Sequence, residues 1–133
     1  MRICLDTSGY SAFKRGHERA VELVRRASEI VIPVTVLGEL FAGFRRGGRA
    51  QRNHEELDRF RQSPRVRILR LDEETAACYA EILSGLRERG TPIPTNDIWI
   101  AASAMQAGLR VVTSDRHFQQ VPQVTFESLD VAV

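Results

Sequence analysis

Pro94-Thr95-Asn96-Asp97-Ile98-Trp99-Ile100-Ala101-Ala102 reads as a helix start with one carboxylate in its first turn and an almost wholly apolar body behind it. Thr95 or Asn96 supplies an N-cap, and an acid beside a cap gains roughly 0.3–1 kcal/mol from the helix dipole. Capping alone does not account for Asp97, because the helix around it is apolar on most sides. Ile98, Ala101, Ala102, Met105 and Leu109 make one face, while Trp99, Ile100 and Ala104 cover much of the other. A carboxylate rooted in such an element is seldom there for solubility. The fold and the function both turn on whether other acids converge on it.

The chain around this helix has 133 residues, of which 43% are hydrophobic. That suffices for one domain, residues 1–133, with a core that needs no metal or disulfide staple. Cys4 lies in an apolar strand pattern and Cys78 in a helical one, so both read as reduced packing thiols. The N-terminus has no apolar leader and no stretch approaches the length of a membrane span, which points to a cytoplasmic protein with no membrane partner. The formal net charge of +2 hides an asymmetry. Nine arginines stand between Arg45 and Arg70 against Glu55, Glu56 and Asp58, so a basic stretch coexists with an acidic remainder.

Strands and helices alternate along the sequence. Arg2 to Leu5 is β-like and ends at Asp6-Thr7-Ser8, where Thr7 or Ser8 is expected to cap the next helix. A second helix, His17 to Ala27, turns Val21 and Val24 inward. Ile30 to Val34 is a continuous apolar run of the kind found in buried parallel strands. Thr35 is expected to cap the following helix, whose Leu37, Leu40, Phe41 and Phe44 keep core spacing while Glu39 falls off that stripe. Ala50 to Arg61 reads as a polar helix anchored by Leu57 and Phe60.

Val66 to Leu71 is a third strand, with Asp72 as the cap of a helix whose apolar face is Ala76, Tyr79, Ala80, Leu83 and Leu86. The opening helix closes at Gly108, and Leu109 to Val112 is a fourth strand delivering Thr113-Ser114-Asp115. Val124 to Phe126 is a fifth. The pattern predicts an α/β fold with a parallel sheet, right-handed crossovers and helices on both faces.

In such a sheet every crossover helix starts at the edge where strands end. Asp6 and Asp115 end strands one and four, Glu39 lies one turn into the helix after strand two, and Asp97 starts the helix that returns to strand four. All four therefore belong to one edge. With strand order 3-2-1-4-5, strands one and four flank the switch point where doubly wound sheets bind ligands. Two carboxylates about 4 Å apart repel by about 4 kcal/mol at an effective dielectric near 20, so such a pocket calls for a cation. All-oxygen ligands select Mg²⁺ or Mn²⁺, whose usual work is on phosphates. The chemistry suggested is metal-dependent phosphodiester hydrolysis.

Leu5-Asp6-Thr7-Ser8, Glu39-Leu40 with Gly43, Asn96 to Ala102, and Thr113-Ser114-Asp115 with Phe118 resemble the PIN-domain nucleases, with spacing and length similar to the VapC toxins of toxin–antitoxin pairs. The resemblance covers nearly the whole chain. It implies a PIN-like three-layer sandwich and a magnesium-dependent endoribonuclease that cuts RNA. It further implies a homodimer held inactive by a cognate VapB-type antitoxin lying across the acidic groove. Carried over by motif, Asp6, Glu39, Asp97 and Asp115 match the metal-site acids. Thr7, Asn96, Thr113 and Ser114 match positions that hydrogen-bond those acids or the substrate. Pro94-Thr95 departs from the glycine-containing turn of many relatives. A PIN-domain RNA-processing nuclease without an antitoxin, and a silent PIN-fold binding protein, remain as alternative readings.

Other signals carry less. Gly43 to Ala50 has the glycines of a phosphate loop but lacks its Lys and Ser/Thr and follows a helix. His17, His54 and His117 stand in polar contexts with no paired nucleophile, and His117, though near Asp115 in sequence, reads as a surface histidine. Arg45, Arg46 and Arg49 are assigned to RNA or antitoxin contact, or to a solvated helix face.

Overall fold

Four parallel pairings build the sheet of this computed structural model, which describes residues 1–129. The strands are β1 (Arg2–Leu5), β2 (Glu29–Pro33), β3 (Val66–Leu69), β4 (Arg110–Thr113) and β5 (Thr125–Ser128). They lie in the order β3-β2-β1-β4-β5, the order of a PIN-like fold that sets the switch point between β1 and β4. The helices are α1 (Thr7–Lys14), α2 (Glu18–Arg26), α3 (Val34–Arg46), α4 (Ala50–Arg61), α5 (Glu73–Arg89) and α6 (Thr95–Ala107). A short 3₁₀ turn, His117–Gln120, links β4 to β5. Ile3, Cys4, Leu5, Ile30, Val31, Ile32, Val111 and Val112 are fully buried, as the central strands of a sheet covered on both faces must be.

Right-handed crossovers put helices joining β1, β2 and β3 on one face and those joining β3 to β4 on the other. Packing follows that division: α1 meets α2 and α3, α3 meets α4, and α5 packs on α6. The two layers also touch where α3 approaches α6. Helix α6 is buried at Ile98, Ile100, Ala101, Ala102, Ser103 and Ala104, and Trp99 stacks on Tyr79 with ring centroids 4.1 Å apart. Its apolar body is therefore wrapped, while its first turn, with exposed Thr95 and Asn96 and half-buried Asp97, borders open space.

Gly9 sets the entry of α1. A Cβ there would collide with the Val112 carbonyl, so glycine lets the first turn of α1 lie against the end of β4. That close approach brings Asp6, Thr7 and Ser8 beside Thr113 and Ser114.

Several local expectations are corrected. Neither Thr7 nor Ser8 caps α1; Asp6 does, accepting from the Gly9 amide at 2.7 Å. Thr35 does not cap α3, which begins at Val34 after Pro33, and its buried hydroxyl has no hydrogen-bond partner among the described residues. Neither Thr95 nor Asn96 caps α6; Pro94 occupies the cap position and Thr95 is the first helical residue. Pre-set proline φ replaces side-chain capping at both helices. In α2, Ala20 and Leu23 join Val24 in the core, and Val21 is only half-buried.

The buried stripe of α5 is turned from Ala76 and Ala80 toward Thr75, Ile82 and Leu86. Small alanines discriminate poorly between faces, and Thr75 is drawn inward by its bonds. It shares a capping box with Asp72 and donates to Gln106 Oε1 at 2.5 Å. Both cysteines are free, as expected; burial, with the nearby Asp6 charge, pushes the Cys4 thiol far up, which leaves it inert.

Candidate metal centre

Each acid reaches the strand-end edge by a different element. Asp6 follows β1, Asp115 follows β4, Glu39 lies one turn into α3, and Asp97 is the third residue of α6. Helix direction alone carries Glu39 and Asp97 there.

Asp6 is the deepest of them, 4% exposed. Its Oδ1 accepts from the Gly9 amide at 2.7 Å and from the Ser8 hydroxyl at 2.8 Å, and its Oδ2 accepts from the Thr113 hydroxyl at 2.5 Å. Thr113 Oγ1 in turn accepts from the Asp115 amide at 2.8 Å, and Ser8 Oγ accepts from the Ser114 amide at 2.9 Å. The ends of β1 and β4 are thus tied together through one carboxylate. Burial raises Asp6 to about 6, against the lowering effect of its hydrogen bonds and with a further push from the Asp97 charge.

Asp97, Asp115 and His117 form the outer part of the site. Their ligand atoms all lie within 4.8 Å of one another. His117 Nδ1 is 2.7 Å from Asp97 Oδ2 and 2.8 Å from Asp115 Oδ1. Asp97, with a side chain 13% exposed, is raised by burial and by the charges of Asp115 and Glu39, partly offset by the bond to His117. For His117, burial alone would lower the imidazole, but the Asp97 hydrogen bond and the charges of Asp115 and Asp97 outweigh it and raise the group. Glu39 faces the same cavity. Its Oε1 accepts from the Thr7 hydroxyl at 2.5 Å, and its Oε2 from the Asn96 amide at a long 3.5 Å. Glu39, Pro94, Thr95, Asn96, Asp97, Asp115 and His117 line an open cavity.

The structure therefore groups Asp97, Asp115 and Glu39 around the cavity, with Asp6 beneath them and electrostatically coupled to Asp97. Thr7, Asn96 and Thr113 each bond an acid, whereas Ser114 contributes its backbone amide, bonded to Ser8. Arg45, Arg46 and Arg49 lie at the far end of α3 and on the turn beyond it, all three exposed to solvent. Arg45 is six residues past Glu39, about 9 Å along the helix axis. Two participants are not evident from sequence. Ser8 reads there only as a cap, yet its position two residues after Asp6 is the spacing of a hydroxyl that folds back on a carboxylate. His117 reads as a surface group, and its two-residue offset from Asp115 is the available signal.

The donor set fits a hard divalent cation: carboxylate oxygens with no competing ammonium or guanidinium. Among the described residues, no lysine or arginine forms an ion pair with Asp6, Glu39, Asp97 or Asp115.

The family model described as "PIN domain" matches residues 3–124. The chain belongs to the PIN-domain family. Within that family it is 30% identical over 93 residues to ribonuclease VapC4 of Mycobacterium tuberculosis, covering 70% of this chain and 72% of that one. It is 28% identical to ribonuclease VapC2 of Rickettsia felis over 83% of this chain and 81% of the relative. Among solved structures, this PIN domain superposes on Salmonella typhimurium VapBC bound to DNA with a TM-score of 0.83 at 28% identity, covering 98% and 99% of the two chains. It superposes equally, at 0.83 and 25% identity, on Rickettsia felis VapBC2 bound to a promoter DNA fragment, covering 98% and 100%. Among the described residues, no helix of the PIN domain is long and apolar enough to cross a membrane.

Proposed function

We propose that this PIN domain, spanning residues 1–133, is a metal-dependent endoribonuclease and the toxin of a VapBC-type toxin–antitoxin pair. The observation that carries the reading is the gathering of Asp97, Asp115 and Glu39 over Asp6 with no lysine or arginine paired to them among the described residues. Relatives named as VapC ribonucleases, and likeness to VapBC complexes, support the substrate and the partner. A cytoplasmic homodimer inhibited by a VapB-type antitoxin is the assembly that goes with this reading.

Asp97 and Asp115 would hold Mg²⁺ or Mn²⁺, with Glu39 and Asp6 completing the negative field. Such a cation, when bound, supplies Lewis-acid stabilisation of phosphate charge and lowers the pKa of water. The protein's own part is placement. Thr113 and Ser8 fix Asp6, Thr7 and Asn96 fix Glu39, and the buried body of α6 holds Asp97. Among the described residues, no serine, cysteine or histidine is arranged as a nucleophile, so hydrolysis by water leaves a 5′-phosphate and a 3′-hydroxyl. Arg45, Arg46 and Arg49 are free of ion pairs among the described residues and suit the backbone of RNA or an acidic antitoxin segment.

Inducible expression of the wild type beside Asp6→Ala, with sequencing of RNA 5′ ends, tests the reading. Growth arrest and new 5′-phosphate ends with the wild type only are expected, and co-expression of the neighbouring antitoxin frame should suppress both. RNA cleavage that persists in EDTA, or ends bearing 2′,3′-cyclic phosphate, would overturn it.

A further inference from the structure

Among the described residues, His117 is the one basic side chain paired with the acids of the site, and it reaches two of them through one atom. Nδ1 lies 2.7 Å from Asp97 Oδ2 and 2.8 Å from Asp115 Oδ1. An ordinary surface histidine pairing with a carboxylate needs only one such contact. The position is also built in. Phe118, the next residue, is 1% exposed and anchors the 3₁₀ turn in the core, which forces its neighbour outward toward the cavity. The His117 amide donates to Asp115 Oδ1 at 2.9 Å, which fixes the turn from the other side. Two ligand atoms each about 2.1 Å from one cation and at right angles to each other lie about 3.0 Å apart. The two contacts of Nδ1 fall just short of that spacing, and the three ligand atoms lie within 4.8 Å of one another, close enough to share one cation.

We infer that His117 is an inner-sphere ligand of the metal held by Asp97 and Asp115, and that its nitrogen sets which metal this nuclease prefers. The inference rests on the metal-centre reading above and adds a nitrogen donor to an otherwise all-oxygen set. Carboxylate and water oxygens serve Mg²⁺ and Mn²⁺ alike, whereas imidazole favours transition metals over Mg²⁺. With Nδ1 taken by metal, the Nε2 of this part-exposed ring remains to bond a substrate oxygen or water. His54 is occupied elsewhere, between Phe41 and Phe44 at centroid distances of 5.0 and 4.9 Å, and His17 caps α2.

Pulsed electron paramagnetic resonance of the full chain loaded with Mn²⁺ reads this directly. The wild type should show coupling to a directly bound ¹⁴N nucleus, which becomes a ¹⁵N coupling when histidine is ¹⁵N-labelled. This arm needs no variant and so survives any folding defect. His117→Gln should lose the coupling, and the preference for Mn²⁺ over Mg²⁺, measured as the ratio of the two Kd values, should fall about tenfold. Mn²⁺ binding that Asp97→Asn abolishes, but that shows no histidine nitrogen coupling, would overturn the role of His117 and leave the carboxylate site standing. Mn²⁺ binding indifferent to Asp97→Asn and Asp115→Asn would overturn the carboxylate site and the His117 assignment together.

Discussion

Acids within the strands and acids beyond their ends are treated in opposite ways by this PIN domain. Glu29 in β2 is held by Arg67 at 2.7 Å and Arg2 at 3.4 Å, and Glu127 in β5 by Arg110 at 2.9 Å and Arg19 at 3.3 Å. The bonds from Arg67 and Arg2 draw the Glu29 carboxyl below its ordinary value. Asp6 and Asp97, beyond the strand ends, are both pushed up, chiefly by burial, with the Asp97 charge adding to Asp6 and those of Asp115 and Glu39 to Asp97 against the lowering bond from His117. Arginine is abundant enough to have neutralised both regions. One set of acids is paired with arginines as a surface is usually paired; the other gathers without lysine or arginine, with His117 as its basic partner among the described residues.

The widest gap between the regions should appear in activity. Asp97→Asn or Asp115→Asn should lower metal-supported RNA cleavage by more than about a hundredfold, beyond what the loss of an outer partner of a metal site costs. Glu29→Gln and Glu127→Gln should leave it unchanged, and comparable losses from both pairs of variants would erase the distinction.

Stability against pH separates them next. Asp6 has a folded-state value of about 6, above its ordinary 3.8, so folding favours its protonated form. Its contribution is present in full below about pH 4 and is lost as pH rises through 6, a fall of up to about 3 kcal/mol for the metal-free protein. Urea unfolding in EDTA at pH 4, 5, 6 and 7 reads the slope. Asp6→Asn, which keeps an acceptor for the Gly9 amide, should flatten it and be more stable than wild type at pH 7. A slope that survives the substitution would assign it to another group. For Glu29 the sign is reversed, since its value is lowered: its contribution is present at neutral pH and is lost as pH falls through the depressed value. Because that carboxylate is only half-buried and screened by solvent, Glu29→Gln should cost no more than about 1 kcal/mol at neutral pH. A larger loss would mean that the strand pairs do more than cover the surface.

The arginines of the α3–α4 turn give the smallest signal. Replacing Arg45, Arg46 and Arg49 with Gln should reduce the slope of log affinity for RNA against log salt by roughly 0.7 for each phosphate these side chains neutralise. An unchanged slope in a folded variant would move the patch from RNA to antitoxin contact.

The parallel sheet and the edge shared by the acids are legible in the sequence because both follow from coarse features. Apolar runs at Arg2 to Leu5, Ile30 to Val34 and Leu109 to Val112 alternate with helices, and an acid directly after a parallel strand can go to only one edge. The depth of Asp6 is not legible. It depends on Gly9 letting α1 approach Val112, and on Thr113 and Ser8 arriving from separate elements. His117 is hidden for a related reason. Its contact with Asp97 spans 20 residues and is set by how Phe118 packs, which no periodicity records. Thr35, Thr95 and Asn96 mislead as caps because proline can start a helix without a side-chain acceptor.

Thermal unfolding with and without Mn²⁺ bears most directly on the acids that no arginine pairs. A ligand that binds only the folded state stabilises by about 2.7 kcal/mol at a hundred times Kd, which for a chain of this size raises Tm by several degrees. The wild type and Glu29→Gln should show that rise, and Asp97→Asn should lose most of it while unfolding at or slightly above the wild-type Tm in EDTA. An equal Mn²⁺-dependent rise in Asp97→Asn and wild type, or none in either, would contradict a metal centre at the strand ends.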